Sequence, residues 1–313
     1  MAEPSAGVVT RLAPSPTGSQ HLGNARTYLI SWLMARAAGG RVILRIEDID
    51  AGRAKPGAAA EAEADLRWLG LDWDDGPIIQ STRLPEYAAA LACLQAAELV
   101  YPCTCTRADI LRAASAPHET GAEPVYPGTC RGRRVADAAG LARPFAWRFR
   151  VTDSPAFDDR FLGHVHDDLR RYGGDFVVWK SAGEPAYQLA VVVDDAAGGV
   201  TDVVRGDDLR LSTPRQLLLY RALGLVPPRF THVPLVVDAE GRRLAKRNNG
   251  LRLAALRSAG VRPEAVIGLL AASCGWAAAG ERLRAADLIP RFTLATIRRE
   301  PFAVHAALAA TLS

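Results

Sequence analysis

The sequence predicts an α/β fold built around a parallel sheet, and three observations carry that expectation. The first 50 residues read as strand, loop, helix, strand, and short apolar runs recur further on between Gly and Asp turn signals. The composition, 49% hydrophobic and 23% charged over 313 residues, is ordinary globular composition with room for two or three small domains. No run of about 18 apolar residues is present to span a bilayer. The N-terminus, with Glu3, Pro4, Pro14 and Pro16, does not read as a secretion signal. Five cysteines, three of them within residues 103–130, suit a reducing cytoplasm better than a disulfide framework. A cytoplasmic protein with no membrane partner is the expectation. The 38 Lys plus Arg against 34 Asp plus Glu leave a net charge of +4, too small an excess to argue for or against nucleic acid.

Taken in order, Val8-Val9 opens a strand, RLAPSPTGSQHLG is a loop, NARTYLISWLMARA an amphipathic helix and RVILRIE a buried strand, with Gly39-Gly40 closing the helix. Helices are expected at about 57–69, ending at Gly70, and at about 85–98, beginning at Pro85. From Tyr101 to about Arg134, Cys, Pro, Gly and Thr break the pattern, with a weak helix near 107–115, so this stretch reads as an insertion. FAWRFRV, FVVW, YQLAVVV and VTDVV read as strands. Ser212 as N-cap and Pro214 in the first turn start a helix to about Leu223. VPLVVDAEGRRLAKRNNG reads as a strand running into a basic loop, and the last 60 residues as helical, most clearly in PEAVIGLLAASCG.

His21-Leu22-Gly23-Asn24 opens the first helix. A helix start offers unpaired N–H groups and a positive dipole end; glycine lets a phosphate approach, and histidine adds a donor. Arg45-Ile46-Glu47-Asp48-Ile49-Asp50 sets three carboxylates after a buried strand, at the end where open parallel sheets bind ligands. A third block runs from Tyr187 to Asp195 with Val204–Asp208, and a fourth is Arg243-Leu244-Ala245-Lys246-Arg247, which holds one of only three lysines. Cys103-x-Cys105 and Tyr126-Pro-Gly-Thr-Cys130 supply three thiols suited to tetrahedral Zn²⁺, and on general chemistry His118 is the first choice for a fourth ligand. Cys93 and Cys274 lie in apolar helical patterns and read as core residues.

RLAPSPTGSQHLGNARTYL resembles, nearly position for position, the first signature of the glutamyl-type class I aminoacyl-tRNA synthetases, and the other three blocks resemble that family's later signatures in the same order. The similarity runs from residue 8 to about 250. It implies a Rossmann-like parallel-sheet catalytic domain in two halves, 1–100 and 191–250, with a zinc-containing insertion over 101–190 and a short helical C-terminal region over 251–313. It also implies a glutamate pocket in which Glu47 receives the α-ammonium, while Arg11 and Arg205, with Ala13, Ser15 and Tyr187, meet the rest of the substrate. ATP, with Mg²⁺ on its phosphates, is implied between His21, Gly23 and Asn24 on one side and Lys246 on the other. His21 and Lys246 are the catalytic candidates, the lysine stabilising charge on pyrophosphate from a loop that resembles KMSKS. Arg243, Ala245 and Arg247 depart from that loop's usual residues. The CxC…YxxxC pattern is similar to that of the glutamyl-queuosine subfamily. It implies one structural zinc on Cys103, Cys105, Tyr126 and Cys130, with tyrosine in place of His118. That subfamily's activity is tRNA-independent activation of L-glutamate, followed by transfer to queuosine in the anticodon loop of tRNA(Asp). A monomer is the expected state, and no anticodon-binding domain is expected to follow. The competing expectations are a truncated glutamyl-tRNA synthetase charging the tRNA 3′ end and a non-catalytic tRNA-binding paralogue.

Overall fold

The computed structural model describes residues 7–50, 52–113, 124–242, 244 and 251–304. Strand β1 (Val9–Leu12), helix α1 (Leu22–Arg36) and strand β2 (Arg41–Ile46) form the expected βαβ unit, with the two strands parallel from Val9↔Arg41 to Leu12↔Leu44. Gly39 takes a φ of 63° that closes α1, and a Cβ on Gly40 would lie 2.0 Å from the Val8 carbonyl oxygen, so only glycine fits there. Helix α2 (Ala58–Trp68) leads to β3 (Asp75–Ile79), parallel to β2, and then to α3 (Leu84–Ala96). Strand β3 was not among the expected elements. Its DGPII sequence carries the Gly and Pro that edge strands tolerate, and only its last two residues are partly buried.

The middle of the chain contributes β4 (Val100–Cys103), α4 (Arg107–Ala113), β5 (Ala146–Phe149), β6 (Phe157–Asp159), β7 (Gly163–Val165) and β8 (Phe176–Trp179). Strands β4, β5 and β8 form an antiparallel sheet in the order β4-β5-β8, and β6 and β7 a hairpin. The chain then returns through α5 (Tyr187–Ala197), β9 (Asp202–Gly206), α6 (Ser212–Ala222), β10 (Arg229–Val233) and β11 (Val236–Val237). Strands β9 and β10 are parallel, and the Thr201 N–H donates to the Val9 carbonyl at 2.9 Å, which sets β9 beside β1. The spatial order β3-β2-β1-β9-β10 is that of a doubly wound α/β sheet. The tail holds α7 (Leu253–Ser258), α8 (Pro263–Ser273), a 3₁₀ turn over Ala285–Arg291 and β12 (Phe302–Ala303) paired with β11. Irregular segments between these make it less helical than its composition suggested.

The period-2 alternation of the central strands sorts their side chains between two cores. Leu12, Val42, Leu44 and Ile46 face α1 and α8, whereas Val9 and Ile43 face the core shared with α3, α5, α6 and the antiparallel sheet. Arg11 and Arg45 follow the second parity, which brings both guanidinium groups against α5.

Four local expectations are corrected. YQLAVVVDDAA is a helix, not a strand: Val191 and its neighbours are buried on nearly every side, so neither period shows, and the run's length and the Gly198-Gly199 stop decide for helix. Ser212 is the first residue of α6 and caps nothing; its hydroxyl accepts from Gln188 Nε2 at 3.0 Å. Cys93 is exposed on α3, while Cys274 is fully buried. Nor is α1 amphipathic, because α8 and the 3₁₀ turn cover the side that the sheet leaves open. Among the described residues no helix is long and apolar enough to cross a membrane.

One buried acid sets a pH dependence. Asp65 on α2 is fully buried, and its carboxylate lies 3.2 Å from Arg257 Nη2, with Glu61 near enough to add repulsion. Burial pushes its pKa up to about 6 against the pull of Arg257. The folded state therefore holds this proton more tightly than the unfolded one, and stability declines as pH rises from about 4 through about 6. Asp65→Asn is expected to melt a few degrees higher than wild type at about pH 8, with the gap closing near pH 4, as calorimetry at both values would read. A gap that widens in acid would reverse the sign.

Candidate active site

The carboxyl ends of β1, β2 and β9 open into a cleft of about 640 Å³ whose walls include Arg11, Ala13, Ser15, His21, Gly23, Asn24, Glu47, Tyr187 and Arg205. Every expected glutamate- and ATP-binding residue except Lys246 lines this one cavity. Lys246 lies outside the described residues, as do Arg243, Ala245, Arg247 and His118; Leu244 is described, buried, and part of the wall.

Two adjacent acids on α5 organise the floor. Asp195 accepts from Arg11 Nε at 3.3 Å and from Arg45 Nη1, and Arg45 Nη2 reaches Glu47 Oε1 at 3.1 Å. Burial opposes ionisation of Asp195, but Arg45 and Arg11 outweigh it and hold the carboxyl below the usual range. Glu47 thus stands at the end of a fixed chain of charges, with Ser15 Oγ donating to its other oxygen at 3.4 Å. Asp194 faces the opposite way and accepts from Gln80 Nε2 at 2.6 Å, Arg83 Nε at 2.8 Å and the Tyr87 hydroxyl at 2.8 Å, tying α5 to the start of α3. Arg45 and Asp195 were quoted in the sequence blocks without a role; only the strand parity and the helical state of α5 bring them together.

Arg205 is 3% exposed and makes no ion pair among the described residues. Its guanidinium donates to three neutral acceptors: Gln216 Oε1 at 2.8 Å, Thr213 Oγ1 at 2.7 Å and His232 Nε2 at 3.0 Å. Burial, and then repulsion from Arg11, bring its pKa down against the help of Tyr187 and Asp195. A buried cation held in place by neutral groups is a receptor for an anion. Thr213, Gln216 and His232 were missed in the sequence, where nothing separates them from ordinary helix and strand residues.

His21, also in the cleft wall, is the N-cap of α1. Its Nδ1 accepts from the Gly23 and Asn24 N–H groups at 3.1 and 3.3 Å, while Asn24 Oδ1 accepts from the His21 N–H at 3.2 Å. Two of the N–H groups expected to meet phosphate are therefore covered by the ring, and the tautomer this requires carries its proton on Nε2. His21 also forms an isolated antiparallel bridge with Arg252.

The three thiols converge away from this cleft, at the end of β4. Cys103, Cys105 and Cys130 Sγ atoms lie within 4.8 Å of one another, with Cys105 and Cys130 at 3.6 Å. The Tyr126 hydroxyl is 3.4 Å from Cys103 Sγ and 3.9 Å from Cys105 Sγ. A tetrahedron with metal–sulfur bonds of about 2.3 Å and a metal–oxygen bond of about 2.0 Å has edges of roughly 3.5–3.8 Å, so the four atoms match a zinc shell. Arg148 stacks over the Tyr126 ring at 4.1 Å and donates from Nε to Cys103 Sγ at 3.3 Å, which fixes both side chains in place. Burial works against the Cys130 thiolate, but hydrogen bonds, first from the Thr104 backbone, bring its pKa down to about 7.

The family model for the catalytic domain of class I tRNA synthetases (E and Q) matches residues 7–304. A protein of Symbiobacterium thermophilum named glutamyl-Q tRNA(Asp) synthetase is 51% identical, the alignment covering 97% of this chain and 98% of that protein. The glutamate–tRNA ligase of Geobacter sulfurreducens is 41% identical over 92% of this chain, which spans 61% of the ligase. Among solved structures, a glutamate tRNA ligase from Elizabethkingia meningosepticum in complex with its amino acid superposes with a TM-score of 0.82 at 26% identity, over 96% of this chain and 68% of that one.

Proposed function

Because this chain belongs to the class I tRNA synthetase family for glutamate and glutamine, we propose that it activates L-glutamate with ATP, without tRNA, and transfers the glutamyl group to queuosine in the anticodon loop of tRNA(Asp). The observation that carries the activation step is the pairing, in one cleft, of Arg205 as a buried cation without a carboxylate and Glu47 as a carboxylate on a fixed mount. The relatives named for glutamyl-Q transfer match this chain over nearly their whole length, which favours queuosine as the acceptor.

In this reading Glu47 receives the substrate ammonium, and Arg11 and Arg205 meet its carboxylates, with Ala13, Ser15 and Tyr187 closing the pocket. MgATP enters at the start of α1, where Gly23 gives the phosphates access and His21 and Asn24 supply polar groups. The α-carboxylate then attacks the α-phosphorus, pyrophosphate leaves, and Lys246 stabilises the charge that develops on it. Support for that placement comes from the residues that bracket Lys246: Leu244 lies in the cleft wall and Arg252 is bridged to His21. Residues 1–100 and 191–250 form the catalytic halves, 101–190 the insertion and 251–313 the C-terminal region. Cys103, Cys105, Cys130 and Tyr126 would hold a Zn²⁺ whose closed shell leaves no position for substrate and orders the insertion. We place the protein in the cytoplasm as a monomer.

Incubation with labelled glutamate, ATP and tRNA(Asp), with and without queuosine, tests the proposal. Label that requires queuosine and survives removal of the 3′-terminal adenosine is the expected result. Label that vanishes with that adenosine assigns ordinary charging of the 3′ end, and no consumption of ATP assigns a non-catalytic tRNA-binding protein.

A further inference from the structure

Beyond the cleft wall, the Arg205 guanidinium rests on a chain of buried groups that reaches into the β6–β7 hairpin. Asp159, at the end of β6, accepts at Oδ1 from the backbone N–H groups of Phe161 and Leu162 at 2.9 and 2.8 Å. Its Oδ2 receives the His232 N–H at 3.1 Å and lies 2.7 Å from His232 Nδ1. Both side chains are fully buried. On its far side the His232 ring meets Arg205 Nε at 3.0 Å and the Thr213 hydroxyl at 3.1 Å, both at Nε2. An arginine N–H only donates, so Nε2 must accept, and the ring proton must sit on Nδ1 facing Asp159. The charged groups around the ring are Asp159, Arg205 and Arg210. Burial, helped by Arg205 and Arg210, lowers the ring's pKa against Asp159 and keeps it neutral.

We propose that His232, fixed by Asp159 as the neutral Nδ1–H tautomer, is a positioning residue that aims Arg205 at a substrate carboxylate and so sets the preference for glutamate over its amide, glutamine. The inference rests on the glutamate reading of the cleft. Three of the five guanidinium N–H groups are committed to His232, Thr213 and Gln216, and the direction of the remaining donors follows from those three anchors. Among the described residues the His232 ring is the one of these anchors that is itself held by a carboxylate, so the relay fixes the fork without placing a competing anion beside it. A carboxylate in direct contact with Arg205 would occupy the donors that the substrate needs; one imidazole away, Asp159 orients the cation and leaves it unpaired.

The test combines glutamate-dependent ATP–pyrophosphate exchange with ¹⁵N NMR of the histidine rings. His232→Leu is expected to raise KM for glutamate about 10- to 100-fold, the range for losing a hydrogen bond to a charged group, and to leave KM for ATP within about twofold. His232→Gln returns an acceptor to the Nε2 position and is expected to recover most of that loss. Asp159→Asn turns an amide donor toward the ring, forces the Nε2–H tautomer against Arg205, and is expected to match His232→Leu. All variants should lower the glutamate-to-glutamine ratio of kcat/KM, and wild-type His232 should show the neutral Nδ1–H pattern at about pH 7. An unmoved KM for glutamate in His232→Leu, equal rises in KM for both substrates, a Gln variant no better than Leu, or an imidazolium or Nε2–H ring in the wild type overturns the proposal. Absence of exchange in the wild type sinks the activity itself and the relay with it, which separates the two failures.

Discussion

Arg205→Met is expected to lower kcat/KM for glutamate in pyrophosphate exchange by roughly 30- to 4,000-fold, the range given by about 2–5 kcal/mol for removing one partner of a buried charged pair. The loss should fall mainly on glutamate, because Arg205 is anchored by Gln216, Thr213 and His232 and makes no hydrogen bond to the capped start of α1 among the described residues. Arg205→Lys keeps the charge but cannot hold Gln216, Thr213 and His232 at once, so a loss of about tenfold or more is expected even there. Measuring KM for ATP in the same assays checks the assignment. If both substrates lose affinity alike while the melting temperature falls, Arg205 acts as a packing residue and the glutamate pocket must be placed elsewhere.

The second large effect is on metal. Protein purified without chelator is expected to carry about one equivalent of zinc, and Cys103→Ser with Cys105→Ser to carry almost none. With the metal gone, the small cluster of Tyr101, Ile110, Tyr126 and the cysteines loses its centre, so limited proteolysis should cut within about residues 104–130. Glutamate activation should suffer less than zinc content, since the cysteines take no part in the cleft walls. Tyr126→Phe with retained zinc, together with loss after His118→Ala, would transfer the fourth position to the histidine. Less than about half an equivalent in the wild type removes the site.

Much of this was legible in the sequence where local chemistry and function coincide. Gly39-Gly40 closes α1 as its conformational freedom requires, and HLGN, RIED and the two cysteine groups stand out because glycine, clustered carboxylates and paired thiols are costly without a purpose. What stayed hidden was set by burial from several sides. Val191–Val193 are β-branched and enclosed, so their helix gave no period to read; Cys93 lies in an apolar run yet faces solvent because only one side of α3 is covered. The Asp159–His232–Arg205 chain joins residues 73 and 27 positions apart, and Asp159 and His232 each read alone as ordinary strand residues.

Asp194 and Asp195 also bear on how the chain reaches its native state. Neighbours in sequence, they pair with residues 107 to 184 positions earlier: Arg11 and Arg45 on one side, Gln80, Arg83 and Tyr87 on the other. Until α5 has been synthesised, buried Arg11 has no carboxylate to receive it, and Arg45 and Arg83 have only Glu47 and Glu86 in place of their closer partners on α5, so closing the sheet would leave buried charge under-compensated. The amino-terminal segment therefore completes its buried ion pairs only once α5 is present. On the ribosome it must wait for about a hundred further residues, and at roughly 5–20 residues per second that is a delay of about 5–20 s in which β1 and β2 have no completed sheet to join. Strands β1 and β2 with the start of α3 on one side of the antiparallel sheet in sequence, and α5 on the other, are thus tied together through two adjacent acids in one turn of one helix.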